Sequence, residues 1–261
     1  MNKTALITGA TSGIGKELAY IHAKKGNDLF LIARSEKNLA QIKDDISSKL
    51  NVDVKYTPFD LTHINQLDAF INNLLDSGIK IDYLINNAGI TEIKSVENQD
   101  WESIHKIIQL NITALTKICH AFVPHLKENK GKILNVASVA SFQPIPLQAV
   151  YAASKAYVLN FSIALHEELS PYGVTVTSLC PGITDTNMSR SVNASEKILN
   201  NKLITQSRKE VATVGYKAMI KGKPVAISGS FNKLNVNIAN ALPKSWVAKI
   251  NKFGFERALK K

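Results

Sequence analysis

The chain has little cysteine and, toward its C-terminus, little acid. Cys119 and Cys180 are the only cysteines in 261 residues. They show no CxxC or metal-ligand spacing and both fall in apolar stretches, which argues against a disulfide framework and makes them small buried hydrophobes. No apolar run approaches the roughly 20 residues of a membrane span. Strand-like sequence begins at Lys3, leaving no charged leader followed by an apolar segment, so a soluble, cytoplasmic protein is expected. There is no GxSxG nucleophile elbow, which removes support for hydrolase chemistry. The six histidines lack metal-ligand spacing, and no metal is expected. No internal repeat or linker rich in Gly, Pro or Ser divides the chain, so residues 1–261 read as one domain.

Acid is scarce in one place. From Arg190 onward 15 Lys/Arg stand against 3 Asp/Glu, a net +12, while the first 189 residues hold 17 against 18, a net −1. The basicity belongs to the C-terminal quarter. With no aromatic-interleaved basic motif or zinc pattern, nucleic acid is not an expected partner.

What is present alternates. Short β-branched runs at 4–8, 28–33, 52–57, 82–86, 132–137, 174–180 and 224–228 are separated by helical-period stretches at 13–25, 36–50, 65–77, 99–126, 151–170 and 208–221. That alternation predicts an α/β fold: a Rossmann-like three-layer sandwich whose seven-stranded, doubly wound parallel sheet carries helices on both faces. Ser207 and Glu210 have capping-box spacing at the last of these helices, and Gly222 can close it. Residues 187–222 form the substrate-loop region, in which 187–205 is polar, weakly periodic and suited to a flap.

Directly after the first strand comes Thr8-Gly9-Ala10-Thr11-Ser12-Gly13-Ile14-Gly15, followed by a helix. Glycines there permit a tight turn and let backbone N–H groups approach a pyrophosphate at the positive end of the helix. This spacing resembles the TGxxxGxG loop of the short-chain dehydrogenase/reductase superfamily, and other stations follow in order. Asp60-Leu61 follows the third strand, Asn86-Asn87-Ala88-Gly89 ends the fourth, and Asn111 lies in the next helix. Ser138 closes the fifth strand, Tyr151 and Lys155 form a YxxxK pair, and Pro181-Gly182 with Thr186 follows the sixth. The resemblance spans roughly residues 3–190. It implies that Gly9, Ser12, Gly13, Ile14 and Gly15 contact the pyrophosphate, Asp60 and Leu61 the adenine, Asn87 the adjoining ribose, and Ile183 and Thr186 the carboxamide. Ala88, Gly89, Pro181 and Gly182 complete the same lining.

The second strand ends Ala33-Arg34-Ser35 without the acid that an NAD site uses on the ribose hydroxyls. Arg34 can pair with a 2′-phosphate and Ser35 can add a hydrogen bond, so NADP(H) is the expected cofactor.

Tyr151 and Lys155 are four residues apart and share a helix face. A free phenol, with a pKa of about 10, becomes a useful acid/base when a neighbouring cation favours its anion. The expected chemistry is hydride transfer between the nicotinamide and a carbonyl or alcohol. Tyr151 is the acid/base, Lys155 lowers its pKa and grips the ribose, Ser138 holds the substrate oxygen, and by resemblance Asn111 anchors a proton relay. The alternative is a dinucleotide-binding sensor or scaffold without catalysis. Phe142, Pro144, Ile145, Pro146, Leu147 and Val150 suggest an apolar wall, or else a loop tucked under the sheet; the first favours a small apolar substrate. A homo-oligomer, dimer or tetramer, is implied by resemblance only.

Residues 230–261 form a basic extension in which Trp246, Val247, Ile250, Phe253, Phe255 and Leu259 interleave with lysine and arginine. It reads as an amphipathic helix docked on the subunit or its mate, with a membrane surface or acidic partner as the alternative.

Overall fold

The computed structural model describes residues 2–191, 201 and 204–259. Most of the expected 187–205 flap therefore lies outside the described residues, as do Lys260 and Lys261. The chain opens with β1 (Ala5–Thr8), α1 (Gly13–Ala23), β2 (Leu29–Ala33), α2 (Glu36–Leu50), β3 (Val54–Pro58), α3 (Ile64–Asp76) and β4 (Tyr83–Asn86). A long helix follows in three parts: α4 (Trp101–Ile108), a π-helical turn (Gln109–Ala114) and α5 (Leu115–Asn129). Then come β5 (Lys132–Val136), α6 (Ala149–Leu169), β6 (Thr175–Cys180), the short β7 (Thr184–Asp185), α7 (Asn187–Ser191) and β8 (Gln206–Ser207). The chain ends with α8 (Arg208–Ile220), β9 (Val225–Ile227), α9 (Ser230–Ala241) and α10 (Lys244–Leu259).

The sheet has the order β3-β2-β1-β4-β5-β6-β9, and every pair in it is parallel. β1 and β2 are buried along their whole length, which is why their sequences run continuously apolar instead of alternating. One face packs Leu18 of α1, Leu39, Ile42 and Ile46 of α2, and Val211 and Met219 of α8 against Ile7, Leu31 and Leu179. The other packs Leu67 and Ile71 of α3, Ile118 and Phe122 of α5, and Val158 and Leu165 of α6 against Leu6, Ile32 and Ile133. This is the three-layer sandwich that the sequence predicts.

Several boundaries follow their local chemistry. Ser207 Oγ accepts from Glu210 N at 3.2 Å while Glu210 Oε2 accepts from Ser207 N at 3.0 Å, completing the capping box on α8. The β7–β8 pair was not foreseen, and the extension from 230 onward, expected as helix, is divided into α9 and α10. The helix from Trp101 to Asn129 is 29 residues and, by length and composition alone, apolar enough to cross a membrane. Polar residues interrupt it, so the sequence shows no continuous apolar run. Its buried Ile118, Cys119, Phe122 and Leu126 belong to the core beneath β4 and β5.

A buried histidine joins the first and last thirds of the chain. His22 on α1 bonds Tyr216 Oη on α8 through Nδ1 at 2.9 Å, and the Lys3 carbonyl through Nε2 at 2.8 Å. Burial lowers its pKa to about 4, outweighing its hydrogen bond to Lys3 and the charges of Asp28 and Asp82. The folded state keeps it neutral while the unfolded chain takes up a proton near pH 6.5, so stability is lost as pH falls from about 6.5 toward 4. With the pKa near 4, the loss by pH 4 is about 3 kcal/mol. The stability gap between wild type and His22→Gln, measured by urea unfolding, is expected to narrow by that amount between pH 7 and pH 4; a constant gap would refute the linkage.

Candidate functional site

Strand order turns around between β1 and β4, and the helices following these two strands leave toward opposite faces. A crevice opens there at the carboxyl ends of the strands, which is where open α/β sheets bind ligands. Thr8 Oγ1 accepts from the main-chain N–H groups of both Asn87 and Ala88 at 3.0 Å. Asn87 Nδ2 in turn donates to the carbonyls of Thr8 and Gly9, both at 3.1 Å. A Cβ at Gly15 would stand 2.4 Å from Asn87 Nδ2 and from the Gly9 carbonyl, and Gly9 itself has φ +64°. Neither position admits a side chain. Ser12, in extended backbone, precedes α1 without capping it, so the first N–H groups of that helix have no side-chain acceptor.

These features fit a dinucleotide. The glycine loop brings bare backbone to the crevice, and the positive end of α1 is available to an anion. At the end of β2, Arg34 is exposed and no carboxylate occupies positions 33–35. Ser35 Oγ caps α2 by accepting from Asn38 N at 3.3 Å, which leaves its O–H free to donate.

On the adenine side, Leu61 is buried in the core. Asp60 Oδ1 accepts from Thr62 N at 3.0 Å and Thr62 Oγ1 at 2.8 Å. Burial works against its charge, yet the Thr62 bonds and the Arg34 cation hold its carboxyl below the usual range. The amide expected on the ribose is likewise committed: Asn87 holds the loop together.

Across the crevice, Ser138 follows β5 and accepts from Ala140 N at 3.1 Å. Its hydroxyl donates to the Pro181 carbonyl at 3.5 Å and stands close enough to the Tyr151 phenol to oppose the effect of burial on it. Ile145, Ala140 and Ala152 form a small buried cluster against which Tyr151 packs. The apolar wall is thus real at Ile145, whereas Phe142 is tucked against the main core. Lys155, buried, donates from Nζ to the Val136 carbonyl at 2.8 Å, and the same nitrogen is 5.9 Å from the Tyr151 ring centre.

Burial raises the Tyr151 pKa against the opposing influence of Ser138, where a lowered phenol was expected, and burial lowers Lys155 to about 8. The Lys155 ammonium is turned onto the Val136 carbonyl.

Asn111 enters from the π-helical turn, where one extra residue shifts the side chain around the axis. Oδ1 accepts from Ile90 N, and Nδ2 donates to the Ile90 carbonyl and to Ser154 Oγ, all at 3.0 Å. A Cβ at Gly89 would lie 3.2 Å from both Asn111 Oδ1 and Lys155 Nζ, so the two side chains meet beside that glycine.

The turn after β6 carries Pro181, Gly182, Ile183 and Thr186. The Thr186 methyl group lies against Gly13 of the glycine loop, joining the two halves of the crevice. Gly182 is pressed by Asn232 of α9: a Cβ there would be 2.3 Å from Asn232 Nδ2. Asn232 donates to the Ser228 carbonyl at 2.7 Å and to Gln206 Oε1 at 3.3 Å, and Gln206 N donates to the Ile183 carbonyl at 3.0 Å. Sequence reasoning missed Gln206 and Asn232, which carry no motif. Thr8 was visible as the first residue of the loop pattern, although its bonding role was not.

The short chain dehydrogenase family model matches residues 3–197. Among curated proteins, 11-beta-hydroxysteroid dehydrogenase-like 3 of Arabidopsis thaliana is 32% identical over 245 residues, 93% of this chain and 78% of that one. A solved short-chain dehydrogenase from Sphingobium yanoikuyae, in complex with NADPH, is 32% identical with a TM-score of 0.80, covering 86% of this chain and 87% of its own. The bulky-bulky ketone specific alcohol dehydrogenase from Comamonas testosteroni is 29% identical with a TM-score of 0.76, covering 86% and 85%. Matched over most of its length, and with a crevice built to take a dinucleotide, the chain belongs to the short-chain dehydrogenase family and is a nicotinamide-dependent oxidoreductase.

Proposed function

We propose that the protein transfers hydride between NADP(H) and an apolar ketone, aldehyde or corresponding alcohol. The observation that carries this reading is the Tyr151–Lys155 pair on one face of α6, with Lys155 Nζ 5.9 Å from the Tyr151 ring centre and beside Gly89 of the crevice. When bound, the cofactor supplies or accepts the hydride. Gly9, Ser12, Gly13, Ile14 and Gly15 would hold its pyrophosphate, and Arg34 with Ser35 its 2′-phosphate.

In reduction, Tyr151 Oη protonates the oxygen of the carbonyl as hydride reaches its carbon; in oxidation it takes the hydroxyl proton. A phenol whose pKa burial holds up keeps its proton at neutral pH, as a proton donor requires. Ser138 O–H donates to the same substrate oxygen and fixes its distance from Tyr151. Lys155 provides the cation that stabilises the phenolate left behind, and the same ammonium would hold the cofactor ribose. Asn111, with its carboxamide spent on Ile90 and Ser154, shapes the wall beside Lys155 through which a proton returns from solvent. Ile145 against Tyr151 supports an apolar substrate, as do the names of the Comamonas ketone enzyme and the Arabidopsis steroid enzyme.

Tyr151→Phe is expected to bind NADPH like wild type and to reduce apolar ketones at least about a hundredfold more slowly. Binding without turnover in either protein would favour a dinucleotide sensor, and unchanged turnover in the mutant would overturn the role of Tyr151. For cofactor choice, fluorescence titration of Arg34→Ala is expected to show NADPH affinity reduced about 10- to 100-fold with NADH affinity nearly unchanged, the range of a lost charge-assisted contact. Equal losses for both cofactors would remove the 2′-phosphate assignment. For pH, kcat/KM for ketone reduction is expected to fall above the Lys155 pKa of about 8 as the ammonium loses its proton; a profile flat to pH 10 would contradict a role for that charge.

A further inference from the structure

The C-terminal helices carry a feature that the reaction does not use. α10 is fastened on one side to the loop at 139–148: Val247 is buried, Asn251 Nδ2 donates to the Pro144 carbonyl at 3.0 Å, and Lys244 Nζ donates to the Phe142 carbonyl at 2.6 Å. On another side of the helix Trp246, Ile250 and Phe253 are 60, 61 and 68% exposed. At 100° per residue these three fall within an arc of about 60°. α9 repeats the pattern, with Val236 and Ala239 buried and Phe231, Leu234 and Ile238 46, 57 and 50% exposed. Six large apolar side chains on two consecutive helices are more than the scattered single exposures of an ordinary surface.

The charges around them are nearly all of one sign. Residues 211–261 contain nine lysines, one arginine and a single acidic residue, Glu256, and Lys233, Lys249 and Lys252, on α9 and α10, are exposed. We infer that α9 and α10 form a docking face for an anionic lipid surface, with the aromatic and aliphatic side chains entering the interfacial region and the lysines meeting the headgroups. Large apolar groups flanked by lysines, with a tryptophan among them, are the composition of helices that lie in a membrane interface. A second copy of the same face is disfavoured, because a two-fold contact would set lysines against lysines. Since α10 is bonded to Phe142 and Pro144, docking sets the loop at 139–148 near the lipid. The docking face is independent of the proposed reaction and is tested without it.

The full chain with Trp101→Phe keeps Trp246 as its one tryptophan. Mixed with vesicles of phosphatidylcholine and phosphatidylglycerol in roughly equal parts at low salt, it is expected to float with them and to shift Trp246 emission to the blue. Pure phosphatidylcholine vesicles should capture far less. In that background Lys249→Glu with Lys252→Glu is expected to weaken partitioning more than about tenfold, and Ile250→Ser with Phe253→Ser to abolish the blue shift, both at unchanged melting temperature. Three results would overturn the inference: no flotation at low salt, flotation untouched by either pair of changes, or a dimer in sedimentation that those changes dissolve. Should a pair fail to fold, Lys233→Glu on α9 provides the same charge test.

Discussion

Thr8 and Asn87 tie the ends of β1 and β4 together at the point where the strand order turns around, and the cofactor side of the site hangs from that tie. Two main-chain N–H groups converge on one hydroxyl and one side-chain amide reaches two carbonyls. The amide occupies the space that side chains at positions 9 and 15 would need. The glycines and the asparagine therefore form a single packed unit. The crevice stays open to a pyrophosphate because its polar groups are already satisfied from behind, where an unpaired buried amide would cost about 1–3 kcal/mol.

The chemical side of the site is balanced differently. Lys155 and Tyr151 are both desolvated, and burial disfavours the charged form of each: the ammonium is drawn down to about 8 and the phenol is held up. The structure is thus poised on the neutral-phenol side. The two groups are near neighbours, with Lys155 Nζ 5.9 Å from the Tyr151 ring centre, so their titrations are coupled. Asn111 sits beside Lys155 because a π-helical turn displaces it from the register of an uninterrupted helix.

Much of this was legible in the sequence where a motif needs fixed spacing. The glycine loop, Ser138, the Tyr151–Lys155 pair and the capping box at Ser207 each depend on residues a few positions apart, and each stands in the fold at the place its spacing implies. The π-helical turn was hidden because one added residue leaves the apolar periodicity of 101–129 nearly intact. Asn232 and Gln206 were invisible for another reason: their bond spans 26 residues and joins two ordinary polar side chains in segments without pattern. The tail was read as one amphipathic helix because the asparagines of α9 disguise it, while Val236 and Ala239 keep a helical face.

The bonds from Asn251 to Pro144 and from Lys244 to Phe142 carry a consequence for how this part of the chain could evolve. The loop at 139–148 is also held by Lys94 N, which donates to the Leu147 carbonyl at 2.9 Å. Its shape is therefore a joint property of three stretches widely separated in the chain. Grafting residues 139–148 alone into a relative would transplant a sequence without its mould. The inheritable unit is the loop together with the last helix, and a lineage that remodels its C-terminus would reshape the loop without changing a residue in it.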